Sequence, residues 1–373
     1  MPKSKNAPKD GLEARGPIVA VEVDAPASAT PKAAARGAAG QRSVYVLGGL
    51  LLAAGLAVLL VGLLGDALLV SLRLVLIVIG LIGAYRGLRQ IGAARLGASF
   101  DLSFWLSIVW LVLLVAAAVL APVLPLSEYL DTSKTITEPA FAAPDLLSAH
   151  PFGTNGDALD LFARVIYGAR ASLTVAVSAA VIGMIVGGAI GVVGGYLGGK
   201  VDTVIGVLTN SLLAIPALIL LIALSAVLAP NLLNISLALS LLAIPSMIRI
   251  ARANTLVFAQ KEFVLAARAM GATRWRVMLR ELVPNVALPV ASLGMVLISV
   301  LIVAEASLSF LGLGIKQPQP TWGNMIAEGQ AGIFEQHPFI VLVPGLVLFL
   351  TVFAFNLVGE KSRQGSGQEG GLL

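Results

Sequence analysis

The chain of 373 residues contains no cysteine. Disulfides, thiolate metal sites and thiol nucleophiles are excluded with it, and cysteine usage says nothing of the compartment. Histidine is nearly as scarce. His150 and His337 are each followed by proline near the end of an apolar run, which gives a metal site little support. Charge is the third scarcity, at 12% of residues where a soluble domain carries about 25%. With 58% hydrophobic residues, the chain reads as an all-α polytopic membrane protein. A net charge of +5 would suggest nucleic acid in a soluble protein, but the basic residues here sit in loops and tails, where they set topology. Ser172, Ser178 and Ser225 have no histidine or lysine within the apolar runs to activate them, which argues against an intramembrane hydrolase.

Apolar runs of membrane length predict eight spans, at about 44–64, 67–85, 103–125, 171–195, 203–228, 232–252, 286–310 and 338–358. Residues 1–42 read as a disordered basic cytoplasmic tail, 43–88 as a hairpin turning at Gly65-Asp66, and 360–373 as a second cytoplasmic tail. Arg73 lies inside the second span, where it either snorkels outward or pairs with a charge on another helix. Gly183, Gly187, Gly191 and Gly195 form a ridge at four-residue spacing, which lets another helix approach closely. Pro216 and Pro245 fall inside spans five and six and predict kinks. Gly194 to Lys200 matches the glycine and lysine spacing of a phosphate loop. Val201 replaces the hydroxyl residue that would hold magnesium, however, and an apolar helix stands where a strand is needed. Glu305 is an acid at membrane depth, near the outer end of span seven, and marks a candidate pathway or gate position.

The polar island from Lys261 to Asn285 lies between such spans. Phe263, Ala266, Ala267 and Met270 recur at i, i+3, i+4 and i+7, which predicts one face of a short helix, and Gly271 stands where a left-handed C-cap would end it. A second short helix is expected to start from Thr273 and to stop before Pro284. Arg249, Arg252, Lys261, Arg268, Arg274, Arg276 and Arg280 face only Glu262 and Glu281, which places the loop in the cytoplasm.

Glu262, Ala266, Ala267, Gly271 and Pro284 together resemble the EAA loop of ABC importer permeases. Further stretches resemble the second permease subunit of the dipeptide and oligopeptide branch: His150 to Thr154 with Tyr167-Gly168-Ala169-Arg170, Glu305 to Gly314, and Gln317 to Met325 with Trp322 and Asn324. The likeness runs over roughly 150–359. The chain departs from it at Ala158-Leu159-Asp160, where the family has Gly-Arg-Asp, and at Val207 and Asn210, where the family has Arg and Asp.

The resemblance implies a type I ABC importer permease core of six helices over 103–359, with an external segment at 127–170, a coupling loop at 254–285, and the hairpin as an addition. It implies a bacterial plasma membrane location with both termini cytoplasmic. It also implies a heterodimer with a homologous permease, two ABC ATPase subunits, and an extracytoplasmic peptide-binding protein. ATP and magnesium belong to the ATPases, and this chain holds no cofactor or metal and breaks no substrate bond. Within the loop, Glu262 is expected to anchor by a hydrogen bond or ion pair, Ala266 and Ala267 to allow close approach, Phe263, Arg268 and Met270 to complete the ATPase contact, and Gly271 to permit the exit. Glu305, Ser307, Trp322 and Asn324 are the expected pathway or external gate. Nickel chelates and glutathione are alternative cargoes within the same family. An ion-coupled secondary transporter, the reading from a different class, calls for more intramembrane acids than Glu305 and for an internal repeat.

Overall fold

The computed structural model of the protein describes residues 31–64, 70–97, 100–145 and 148–369. The first 30 residues, the Gly65-Asp66 turn and the side chain of Arg73 lie outside the described part. The described residues fall into two compact units that divide after Phe100.

In the first unit α1 (Pro31–Leu64) packs against α2 (Val70–Leu96). Their seam is glycine-lined because the backbones nearly touch. A Cβ added to Gly80 would stand 2.6 Å from the amide nitrogen of Leu59. Helix extends beyond the expected hairpin at both ends, since α1 already begins at Pro31 and α2 runs on to Leu96.

The second unit holds α3 (Leu102–Leu120), α4 (Leu161–Leu197), α5 (Gly199–Ala214), α6 (Ala217–Val227), α7 (Leu232–Phe258), α8 (Glu262–Ala269), α9 (Arg274–Val277), α10 (Val283–Phe310), α11 (Trp322–Ala327), α12 (Ile333–Gln336) and α13 (Phe339–Glu369). Over the two units, seven helices are long and apolar enough to cross a bilayer, and α5 with α6 makes an eighth span if counted together. Capping side chains fix several helix starts. Asp101 accepts from the amides of Ser103 and Phe104, Asp160 from Ala163 at 2.7 Å, and Asn231 from Asn234 at 2.9 Å. Asp101 also pairs with Lys361 at 2.7 Å, which ties the start of α3 to the end of α13 and holds the Asp101 carboxyl below its usual range.

The glycine ridge lines the most extensive helix–helix seam of this unit, between α4 and α7. A Cβ on Gly187 would lie 2.7 Å from the Ile244 carbonyl oxygen and from the Met247 Cβ, and one on Gly191 would lie 2.6 Å from the Ile248 carbonyl oxygen. The prolines behave differently from one another. Pro245, Pro289 and Pro344 sit inside helices that run on unbroken, whereas the expected single span at 203–228 is broken at Pro216. There α5 and α6 meet at 88°. Proline's ring disfavours the helical region for the residue before it, and at this break Ile215 is extended, with φ −82° and ψ 125°. Asp202 on α5 and Arg252 on α7 form a two-pronged ion pair that holds the first half of the broken span.

The expected stop before Pro284 does not occur. Helix is continuous from Arg274 to Phe310, because Met278–Leu282 widens into a π-turn in which the Val283 amide reaches back to the Met278 carbonyl. The π-turn brings the chain to Pro284 at the first turn of α10, where a missing amide is tolerated. Span four likewise begins about ten residues before its expected start, at Leu161, and α13 carries helix through Glu369, where a tail was expected from 360.

Candidate functional site

α8 and its flanks lie at one end of the second unit. Val264 and Ala267 point inward, where they join Val192 of α4, Met247 and Ala251 of α7, and Val277, Met278, Leu282 and Val286 in one buried cluster. The stripe expected from the sequence is therefore only partly the packed face. Of its four members Ala267 is buried, while Phe263, Ala266 and Met270 are exposed. The outward face carries Glu262, Leu265, Ala266 and Ala269 at i, i+3, i+4 and i+7. Leu265 is 52% exposed and Met270 83%, beside Trp275 at 64%. A short helix exposing several large apolar side chains has the character of a docking surface.

Two features hold this helix in place. Arg268 lies over the ring of Tyr196, 4.9 Å from its centroid, and its Nε donates to the Tyr196 hydroxyl at 3.3 Å, which fastens α8 to the end of α4. At the other end Gly271 adopts φ +84°, its amide bonds to Arg268 and the Ala272 amide bonds to Ala267, a complete Schellman stop. Among the described residues Glu262 does not make the hydrogen bond or ion pair expected of it. It is exposed, and inside this chain it contributes a negative charge to the first turn of the helix and no anchor.

The second group of expected residues lies at the opposite end. Glu305 is fully buried and accepts from Ser172 Oγ at 2.8 Å and from Ser309 Oγ at 2.7 Å, which joins α4 to α10. Trp322 is also buried, with its indole Nε1 donating to the Val165 carbonyl at 3.1 Å. Asn324 closes a capping box with Thr321 and donates to the carbonyls of Ile315 and Gln319, which folds the loop between α10 and α11. Ser307 bonds back to the Val303 carbonyl at 2.8 Å. The structure thus brings Glu305, Trp322 and Asn324 together as a buried brace, and none of the three presents its polar atoms to an open path.

A charge pair beside this brace has no signature as a pair in the sequence. Arg164 is 1% exposed and pairs with Glu328, which also accepts from Asn155 Nδ2 at 3.0 Å and from Gln317 Nε2 at 3.0 Å. Burial pushes the Glu328 carboxyl up, and the Arg164 guanidinium opposes the rise. Asp160 is raised by burial in the same way, against the pull of the Ala163 amide and of His150, whose Nδ1 lies 3.1 Å away. The available signal was a basic residue in the first turn of an apolar helix, and its partner 164 residues away left no local trace. At the departures from the family pattern, Ala158 takes φ +59° where glycine is usual, and Leu159 is buried where arginine is usual.

Comparison with known proteins fits this arrangement. Residues 179–361 match the profile of the binding-protein-dependent transport system inner membrane component family. The chain is 37% identical over 257 residues to the oligopeptide transport system permease protein OppC of Escherichia coli, covering 69% of this chain and 84% of that one. It is 33% identical over 261 residues to the dipeptide transport system permease protein DppC of Alkalihalophilus pseudofirmus, covering 69% and 84%. The glutathione transport system permease protein GsiD of Pectobacterium atrosepticum matches at 33% over 216 residues, covering 58% and 71%. With the braced α8, the glycine-sealed spans and this extent of identity in hand, the chain belongs to the family of binding-protein-dependent transport system inner membrane components.

Proposed function

We propose that the chain is one of two membrane subunits of an ATP-driven importer, and that it forms half of a pathway for dipeptides or oligopeptides. The observation that carries the reading is α8, a short helix with an exposed outer face and an inner face packed on three spans. In this reading an ATPase subunit docks on Phe263, Leu265, Met270 and the flanking arginines. Its ATP-driven movement passes through Val264 and Ala267 to α4, α7 and α10, which shifts the spans between outward-open and inward-open states. The seven basic residues around α8 support a cytoplasmic position for that end, and Lys361 and Arg363 support the same side for the end of α13. The opposite end, with the segment 127–160, then meets an extracytoplasmic peptide-binding protein. ATP and magnesium are bound by the partner ATPases. In this chain, Gly194 to Leu197 is the last turn of α4 and Gly199-Lys200 already opens α5, which is no setting for a phosphate loop. Glutathione, a modified tripeptide, is the second cargo to consider because a glutathione permease is among the relatives.

The absence of cysteine gives a clean test. Leu265→Cys and Met270→Cys should cross-link to the ATPase in the assembled complex, and peptide should stimulate ATP hydrolysis more than glutathione does. Absence of cross-linking at both positions in an active complex would remove α8 from the coupling path, and stimulation by glutathione alone would reassign the cargo.

A further inference from the structure

At the end of the second unit away from α8, two clefts meet at Arg170. One, of about 470 Å³, is lined by Tyr129, Tyr167, Arg170, Thr174, Gln319 and Pro320 among others. Its wall is a stacked pair of phenols, Tyr129 on Tyr167, with centroids 3.6 Å apart and planes within 6°. The other, of about 360 Å³, shares Arg170 and Thr174 and is otherwise apolar, with Val115, Val119, Leu173, Val177 and Phe355. Arg170 is exposed beside Tyr129, and its guanidinium makes no hydrogen bond or ion pair among the described residues. An unpaired cation on a spanning helix calls for a counter-charge.

Depth identifies that counter-charge. The Tyr167 hydroxyl donates to the carbonyl of Ala121 at 3.2 Å, one residue past the end of α3, so Tyr167 stands level with the limit of that apolar span. Arg170 lies three residues further along α4, about 4.5 Å deeper at the rise of an α-helix. Phenols at the boundary, a guanidinium just below them and an apolar groove below that reproduce the order of parts in a phospholipid: headgroup, phosphodiester, acyl chain. A soluble anion would use the first cleft and leave the second empty.

We infer that Arg170 and the two clefts hold an anionic phospholipid, with its phosphodiester on Arg170 and an acyl chain along Val115, Val119 and Phe355. The inference needs only that the chain spans a bilayer and does not depend on what the importer carries. The test is native mass spectrometry of the purified full-length chain in detergent with equimolar phosphatidylglycerol and phosphatidylethanolamine. Wild-type protein should retain phosphatidylglycerol preferentially, and Arg170→Gln should weaken that retention about fivefold, as expected for one interfacial cation. Arg170→Lys should keep most of it. Val119→Trp, which fills the groove and leaves the cation in place, should weaken retention too. Undiminished retention by Arg170→Gln would overturn the inference, as would glycerol 3-phosphate competing as well as the lipid, since the acyl groove would then play no part. So would an assembled importer that carries no such lipid while Arg170→Cys cross-links to the second permease, because the clefts would then be a subunit contact.

Discussion

Gly271 and Glu328 show how single residues carry this fold. A Cβ at Gly271 would meet nothing within 4 Å, so the cost of a side chain there comes from its φ of +84° alone. For a β-branched residue that cost is about 1–2 kcal/mol. Gly271→Val should therefore leave the chain folded while loosening the end of α8, and substrate-stimulated ATP hydrolysis in the reconstituted complex should fall although the ATPase itself is untouched. Wild-type coupling in that variant would show that the exit from α8 does not matter. Glu328 poses the opposite case, an ion pair taken out of water. Glu328→Leu should cost about 3–5 kcal/mol because it strands a buried guanidinium, and pairing it with Arg164→Met should recover most of the loss. Thermal unfolding of the single and double variants in detergent decides this, and additive losses would mean that the two residues do not act as a pair.

At the scale of elements, the packing of helices on helices depends on where glycine is. Gly187 and Gly206 are both in spanning helices and look alike in sequence, yet a Cβ meets Ile244 and Met247 at 2.7 Å in the first case and open space in the second. Gly187→Ala should destabilise by about 1–3 kcal/mol through overpacking. Gly206→Ala should be neutral or stabilise by up to about 1 kcal/mol, through helix propensity. Opposite signs in a detergent melt would support the ridge as the α4–α7 seam, and equal effects would not. The spacing of the ridge was legible because it recurs every four residues, the period that lines one helical face. Which of the prolines breaks its helix was not legible. Pro216 and Pro245 satisfy the same local rule, and α7 runs on unbroken through Pro245 while the chain turns 88° at Pro216. The difference lies in the packing around each helix, since α7 is sealed along α4 and the α5–α6 break exposes Leu213, Ile215, Leu218 and Ile219.

For the whole molecule, the second unit is complete from Asp101 onward. Its first helix is capped by Asp101 and clasped by Lys361, and its buried clusters draw on residues from Leu114 onward. Deleting residues 1–97 should therefore leave a chain that assembles and transports, with the first unit as an appendage to the pathway. Loss of transport despite normal assembly and expression would make the hairpin part of the mechanism. At the same scale, the polar groups of three residues expected at the external gate are satisfied within the chain. Glu305, Trp322 and Asn324 carry polar groups that either line water or must be satisfied inside, and here Ser172, Val165, Ile315 and Gln319 satisfy them.

Fold class, the approximate positions of most spans, a short helix after Lys261 and the family were legible in the sequence itself. Each rests on a local quantity, either the length of an apolar run, the spacing of small residues or the order of Glu262, Ala266, Ala267 and Gly271, and neighbours in the chain preserve such quantities through folding. Three things were decided only in the tertiary structure: which face of α8 is buried, whether Glu262 finds a partner, and that Arg164 meets Glu328. Each depends on which side chains arrive from residues tens to hundreds of positions away, and a helix of eight residues has no face of its own until Val192, Met247 and Met278 cover one.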